Sequence, residues 1–438
     1  MAQNQPHILI VGGAYAGLST LNSLITLSSG AALPTGPVSP PPPPEPFVSA
    51  RGLRNKPRYT LLDERDGFYH TVGAPLGQIT PSYAKEFWLS YDDIVADTYA
   101  NEDVKFVHGS ASSLDLEKKI IEYKTADSTV GHISYDYMVV ATGMRRGAPI
   151  VPLEFDKQSF LSTVDKMSAE LTRTRKVVIV GGGAVGIELA AKVKMEYPNN
   201  EVILVHSRET LINAEPLPQE YKAKALELLL ITGTHVKLSQ RVLKEEQIQT
   251  VDGARIQVTL SGGETIICDK VIYSAVQKGA NTEFLAQGGR DEIGCIQVRD
   301  TLQFPALAPN ADFHFAAGDA VSWSGVKRSG GAQNMGRICA ANIVTLLRAA
   351  EDGNSNPELE ICPPFQPTMS LAIGEQAMGL RGGEIRFGKE VMERAFGRGL
   401  GIEGTLKKLR LTPVAELESR RTQEKSKGAG AGVVAAHI

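Results

Sequence analysis

Apolar residues in this chain gather in short, nearly unbroken runs that stop at glycine. The first run is His7-Ile8-Leu9-Ile10-Val11, which meets Gly12-Gly13-Ala14-Tyr15-Ala16-Gly17. The second is Lys176-Val177-Val178-Ile179-Val180, which meets Gly181-Gly182-Gly183-Ala184-Val185-Gly186. Short apolar runs of this kind read as buried strands. Beyond the first turn, positions 18–27 carry apolar residues at helical spacing. Each motif is therefore predicted to be a strand, a tight turn and a helix.

The same patterning predicts further strands at 58–62, 104–107 and 135–141, the last leading into Ala141-Thr142-Gly143. A linker follows at 144–152. After the second turn come a strand at 201–206, a helix at 217–231 and alternating strands to about Tyr273. Positions 312–319 read as a strand ending in Ala317-Gly318-Asp319, with a helix from Gly331 to about Leu347. A second linker at 352–364 precedes strands at 368–373, 377–380 and 384–387, then helical pieces to Leu411. The stretch 30–57 is rich in proline, glycine and serine, with five consecutive prolines at 40–44. Such a run cannot donate backbone hydrogen bonds and stays extended, so it reads as a surface insertion. The tail from Glu418 is charged, then rich in glycine and alanine, and reads as disordered.

A strand that stops at a glycine turn and restarts as a helix aims backbone N–H groups, reinforced by the helix dipole, at whatever lies there. A pyrophosphate fits such a turn. In the first motif Gly12 permits the turn and Gly17 permits close packing of helix on strand. Ala14 replaces the middle glycine of the fingerprint and narrows the approach to the phosphate. The next strand ends at Asp63-Glu64, where a carboxylate can accept hydrogen bonds from ribose hydroxyls. Asp63 is the choice, with Glu64 a neighbour able to substitute. Its separation from the turn exceeds the usual ~20 residues because the 30–57 insertion intervenes. Asp319, ahead of a helix, can bond the ribityl chain of a flavin, which splits the first domain in sequence.

The second motif matches the fingerprint fully at Gly181, Gly183 and Gly186. Its next strand ends on His206-Ser207-Arg208, where an acid would select a free 2′-hydroxyl. Arg208 with Ser207 suits a 2′-phosphate, which favours NADPH over NADH. Glu188 would face the nicotinamide edge, or else complement the helix N-terminus electrostatically.

Composition adds boundaries. A chain of 438 residues suffices for two or three domains, and a net charge of −3 makes no electrostatic case for nucleic acid. Cys268, Cys295, Cys339 and Cys362 are scattered, which argues against a disulfide framework, a zinc site and a redox-active dithiol. No metal is expected. Position 2 is alanine, not the glycine that myristoylation requires, and no secretory signal or membrane-length apolar run is present. The expected setting is cytoplasmic, with mitochondrial or lipid-associated alternatives. Peripheral membrane contact and oligomeric state stay open, and Lys407-Lys408-Leu409-Arg410 reads as a solvated helix face.

Further stretches carry a resemblance: Leu62-Asp63-Glu64-Arg65-Asp66-Gly67-Phe68-Tyr69-His70, Val205-His206-Ser207-Arg208, Phe315-Ala316-Ala317-Gly318-Asp319 and Gly331-Ala332-Gln333-Asn334-Met335-Gly336. With the order of the motifs above, the chain resembles the flavoprotein reductases with two dinucleotide-binding domains. It is most similar to their apoptosis-inducing-factor-like branch and to the ferroptosis-suppressor NAD(P)H:quinone reductases, with type II NADH dehydrogenases further away.

The resemblance implies an α/β fold with two Rossmann-like dinucleotide-binding domains and a small α+β C-terminal domain. The FAD-binding domain would take residues 1–165 and 291–352, and the NAD(P)-binding domain, inserted into it, 166–290. The C-terminal domain would take 353–415 and the disordered tail 416–438. FAD would be lined by Gly12, Ala14, Ala16, Gly17, Asp63, Arg65, Ala111, Thr142, Gly143 and Asp319. NAD(P)H would be lined by Gly181, Gly183, Val185, Gly186, Glu188 and Arg208. Electrons would pass to a quinone-like small molecule. Around Phe396-Gly397-Arg398 the lysine that quinone-reducing relatives place near the flavin is missing, and Arg398 is the nearest cation. Alternatives are a soluble flavin-dependent tailoring enzyme of specialised metabolism and a redox-signalling flavoprotein.

Overall fold

The structure is a computed structural model that describes residues 5–33, 51–251, 253–274, 277–286, 289–420 and 422. The proline run and most of the tail lie outside the described residues.

Two parallel sheets form the frame. The first sheet has the strand order His314–Ala316, Tyr137–Val140, His7–Val11, Arg58–Asp63, Val104–His108. Its central strand is buried at every position, as its uninterrupted apolar run requires. The second sheet has the order His235–Lys237, Glu201–Val205, Lys176–Val180, Lys270–Tyr273, again all parallel. In both, the strand that precedes the glycine turn sits inside the sheet with the next strand beside it. Register places Leu62 opposite Val11 and Val205 opposite Val180. The residues that follow, Asp63 and His206, therefore stand level with Gly12 and Gly181.

The first sheet draws its strands from both ends of the described chain. Helix Tyr15–Ser28 packs along helix Ser329–Asp352, more than 300 positions later. Their close approach needs Gly336, where a Cβ would lie 2.4 Å from the Ala16 carbonyl oxygen. The two crossings between the sheets are themselves paired, Met144–Arg146 running antiparallel to Gln277–Ala280. The expected linker at 144–152 thus begins as a strand. A three-stranded antiparallel sheet, Met369–Ile373, Gln376–Arg381, Glu384–Gly388, leads the C-terminal region, followed by helices Lys389–Ala395 and Ile402–Leu409.

Some expectations need correction. The strand expected over 312–319 is only His314–Ala316, because the chain turns at Ala311–Phe313 and again at Gly318, whose φ is +78°. The tail does not lose structure at residue 416: residues 414–420 are helical, and Arg420 pairs with Asp97 and Glu416. Among the described residues no helix is long and apolar enough to cross a membrane.

Candidate active site

At both turns the backbone is shaped by the same constraint. A Cβ at Gly17 would lie 1.8 Å from the Gly12 carbonyl oxygen, and one at Gly186 would lie 1.8 Å from the Gly181 carbonyl oxygen. Only glycine lets the helix seat this closely on its strand. Ala14 and Gly183 precede their helices with similar extended dihedrals, and a Cβ at Gly183 would meet nothing within 4 Å. The methyl of Ala14 is therefore accommodated without backbone strain.

At the first turn, Asp63 is half-buried and accepts the Gly13 N–H at 2.6 Å and the Arg65 N–H at 2.8 Å. Burial pushes its carboxyl upward, while Arg65 and the two backbone donors pull it back. A cavity opens beside it, lined in part by Gly12, Ala14, Asp63, Arg65, Ala111 and Thr142. Two polar atoms in that wall, Thr142 Oγ1 and Arg65 Nε, are sealed from solvent and have no hydrogen-bond partner. Buried orphans of this kind suit a polar ligand, and the donor set fits the adenosine side of FAD. Gly109, Ser110, Asn281 and Phe284 also line the cavity. They carry no motif, and Asn281 is brought in by the crossing from the second sheet, with its N–H donating to the Gly143 carbonyl at 2.9 Å.

Asp319 lies apart from that cavity. It lines a second one beside the N-terminus of helix Ser329–Asp352. Ala16 joins the two regions, since a Cβ at Gly318 would lie 3.0 Å from the Ala16 Cβ. Arg146, unmarked in the sequence, donates to the Asp319 carboxylate at 2.9 Å. Lys327 fixes the same turn from below, donating to the carbonyls of Asp319 at 2.6 Å and Val321 at 2.8 Å.

At the second turn, the Gly182 N–H donates to His206 Nδ1 at 3.0 Å. Because Nδ1 accepts, the proton of the neutral ring sits on Nε2, which is buried. Burial holds the ring below its ordinary pKa; a hydrogen bond to the Thr210 backbone works against this and the charge of Arg208 adds to it. His206 is thus the imidazole counterpart of Asp63, a role hidden in the sequence because only the register reveals it. Val185 is part of the helix that follows, and Arg208 is exposed two residues beyond His206.

Glu188 projects from helix Ala184–Glu196 into the interior and accepts the Ala372 N–H at 2.9 Å, tying the second sheet's helix to the C-terminal sheet. Burial raises its carboxyl to about 7, against the pull of that N–H and of Lys192. Arg398 is exposed between the last two helices, where its charge acts on Tyr83, and it lines neither cavity. A buried relay links the first turn to the same region. Tyr15 donates to His70 Nδ1 at 3.0 Å, and His70 Nε2 donates to the Leu400 carbonyl at 3.0 Å.

Residues 6–337 match the family model described as pyridine nucleotide-disulphide oxidoreductase. The chain belongs to this family. Oxidoreductase OXR1 of Ajellomyces capsulatus is 35% identical over 402 residues, covering 90% of this chain and 85% of its own. Ferroptosis suppressor protein 1 of Mus musculus is 25% identical, with 93% and 96% covered. Among solved structures, a ferredoxin reductase of Rhodopseudomonas palustris has a TM-score of 0.61 at 17% identity, covering 86% of this chain and 82% of its own. An NAD-dependent persulfide reductase of A. fulgidus scores 0.62 at 17% identity. There this chain spans 63% of the larger protein. These likenesses agree with the two Rossmann-like cores. This member of the pyridine nucleotide-disulphide oxidoreductase family is an FAD-dependent enzyme that uses NAD(P)H.

Its four cysteines are all free and buried. Burial raises each thiol above its ordinary range, so none is poised as a thiolate relay.

Proposed function

We propose that this protein is an NADPH-preferring reductase that delivers two electrons to a quinone or a similar small acceptor. The single observation behind the cofactor preference is the exchange of Asp63 for His206 at equivalent positions. Both satisfy the N–H of the turn's second glycine. The carboxylate also brings a negative charge to the ribose, whereas the neutral imidazole brings none. Two like charges about 4 Å apart repel by about 4 kcal/mol at an effective dielectric constant of about 20. A 2′-phosphate escapes that repulsion here and finds Ser207 and Arg208 nearby. The quinone assignment rests on the resemblance to ferroptosis-suppressor reductases and on the absence of a reactive thiol pair.

The overall reaction would be NADPH + H⁺ + quinone → NADP⁺ + hydroquinone. FAD, when bound, supplies the two-electron relay between the partners. In this reading Gly12, Ala16 and Gly17 shape its pyrophosphate turn, Asp63 and Arg65 hold its ribose, and Asp319 holds its ribityl chain. Thr142, Gly143 and Ala111 close the wall, and Gly181, Gly183, Val185 and Gly186 seat NADPH. Glu188 keeps the NADPH-binding core docked against the C-terminal sheet, where orientation of the reactants is set.

The test compares kcat/KM for NADPH and NADH in the wild type and in His206→Asp. The variant keeps an acceptor for Gly182 but adds the charge. Its NADPH-to-NADH ratio should fall by about tenfold or more, as expected for removing favourable charge complementarity. An unchanged ratio would remove His206 from cofactor selection.

A further inference from the structure

Helix Ala184–Glu196 carries the second glycine turn at its N-terminus and ends at Tyr197. Its 13 residues make a rod about 20 Å long, so the hold on its far end bears on where the turn lies. Two of its side chains are tied to the C-terminal sheet. Glu188 accepts the Ala372 N–H, and Lys192 donates to the Gly374 carbonyl at 3.4 Å. The far end is tied elsewhere. The Tyr197 hydroxyl donates to the Ile79 carbonyl at 2.6 Å, 118 positions away, and lies 3.0 Å from Ser168 Oγ. A phenol has one proton and a carbonyl can only accept, so Ser168 is the donor in the second bond.

Ile79 belongs to a segment that crosses between the cores. Its neighbours Ala74, Leu76 and Phe87 pack in the cluster around the first sheet. Ile79 itself is buried in the cluster around the second sheet, with Ile187 and Ala190. Helix Ala74–Gly77 lies against helix Ala184–Glu196. Ser168 is on helix Lys157–Arg173, which spans the same gap. Its Phe160 stacks on Trp88 in the first cluster, ring centroids 5.2 Å apart, and its Leu171 packs in the second. Tyr197 therefore ties the helix that bears the turn to two segments anchored in the first core.

Two such bonds contribute little net stability, because water replaces them when they open. What they fix is direction. Hydride transfer needs its atoms about 3 to 3.5 Å apart, and a misplacement of about 1 Å can cost about a hundredfold in rate. A pivot of a few degrees at the far end of the rod moves the turn by that much. We propose that Tyr197 is a positioning residue for hydride transfer: its clasp on Ile79 and Ser168 sets the second glycine turn, and the nicotinamide nucleotide seated there, against the FAD-binding core. The proposal rests on the reading that this turn seats the nucleotide.

Tyr197→Phe keeps the ring, which packs at the edge of the second cluster, and removes both bonds. In stopped-flow reduction of the FAD-loaded protein, the limiting rate of flavin bleaching by NADPH should fall about tenfold, while the NADPH Kd moves by about twofold or less. Ser168→Ala should give a smaller fall, and the double variant should be no slower than Tyr197→Phe, since both act through one clasp. With no nucleotide added, amide hydrogen exchange over residues 74–80 and 196–200 should speed up several-fold in Tyr197→Phe. An unchanged limiting rate, additive effects of the two substitutions, or unchanged exchange would overturn the proposal. Gly183→Asp tests the underlying reading by itself. A Cβ there meets nothing within 4 Å, so the variant is accommodated, and its carboxylate should raise the NADPH Kd by about tenfold or more. An unchanged Kd would overturn the seating of the nucleotide at this turn, and the exchange result would still decide the clasp.

Discussion

The carboxylate of Asp63 and the imidazole of His206 stand at the same place in two sheets and make the same bond to a glycine N–H. Sequence alone exposed Asp63, because a strand ending in an acid after a glycine turn has a chemical meaning. It showed only the lack of an acid at the second site. That His206 takes over the bond through Nδ1 depends on the pairing of Val205 with Val180. Asp319 was legible for a similar reason, as an acid between a strand and a helix, but its partner Arg146 was not, since that contact spans 173 positions. Asp319→Ala removes the proposed ribityl acceptor and leaves Arg146 without its carboxylate partner. The purified variant should carry several-fold less FAD per chain than the wild type, measured by its visible absorbance against protein concentration. Full FAD content would show that Asp319 does not hold the cofactor.

Among the elements, those with strong periods were read well. The three C-terminal strands fall within a residue or two of expectation, and the buried strands His7–Val11 and Lys176–Val180 lie where the apolar runs placed them. Helix Ser329–Asp352 begins earlier than expected because Gly330 and Gly331 look like breakers, and its first turn lines the second cavity. The sheet Ser110–Asp115, Ile120–Lys124, Val130–Ser134 was missed because its strands are mostly half-exposed and carry no clear alternation. The contact between helix Ala184–Glu196 and strand Met369–Ile373 was also invisible, and it gives Glu188 a pH signature. The folded carboxyl titrates near 7, above the ordinary value of 4.5. The folded state therefore holds its proton longer than the unfolded chain does. Its contribution to stability is complete below about 4.5 and is lost as pH rises towards 7. His70, lowered by burial from 6.5 to about 4, works with the opposite sign: its contribution is present above 6.5 and lost as pH falls towards 4. The difference between a Glu188 variant and the wild type isolates the first effect. Relative to wild type, Glu188→Gln should gain roughly 2 to 3 kcal/mol between about pH 5 and about pH 8, read from denaturant midpoints. A pH-independent difference would place the carboxyl's titration elsewhere.

On the scale of the molecule, the order of motifs already implied that one core is assembled from two distant segments with the other inserted between them. The parallel sheets and the paired crossings Met144–Arg146 and Gln277–Ala280 give that order its geometry. Arg146 on the first crossing bonds Asp319, and its charge also reaches Glu215 in the nucleotide-binding core, where it offsets part of the rise caused by burial. Arg146 thus acts on an acidic group in each core. What the sequence could not show is the wall of the second cavity, because Trp323, Arg328 and Phe365 come from stretches that share no motif. The central claim is that electrons pass from NADPH through bound FAD to a quinone. The most direct test mixes the FAD-loaded protein with NADPH in the absence of oxygen and then adds quinone. The visible absorbance of oxidised flavin should bleach after the first addition and return after the second, one quinone per two electrons. No bleaching, or bleaching that quinone does not reverse, would contradict the account.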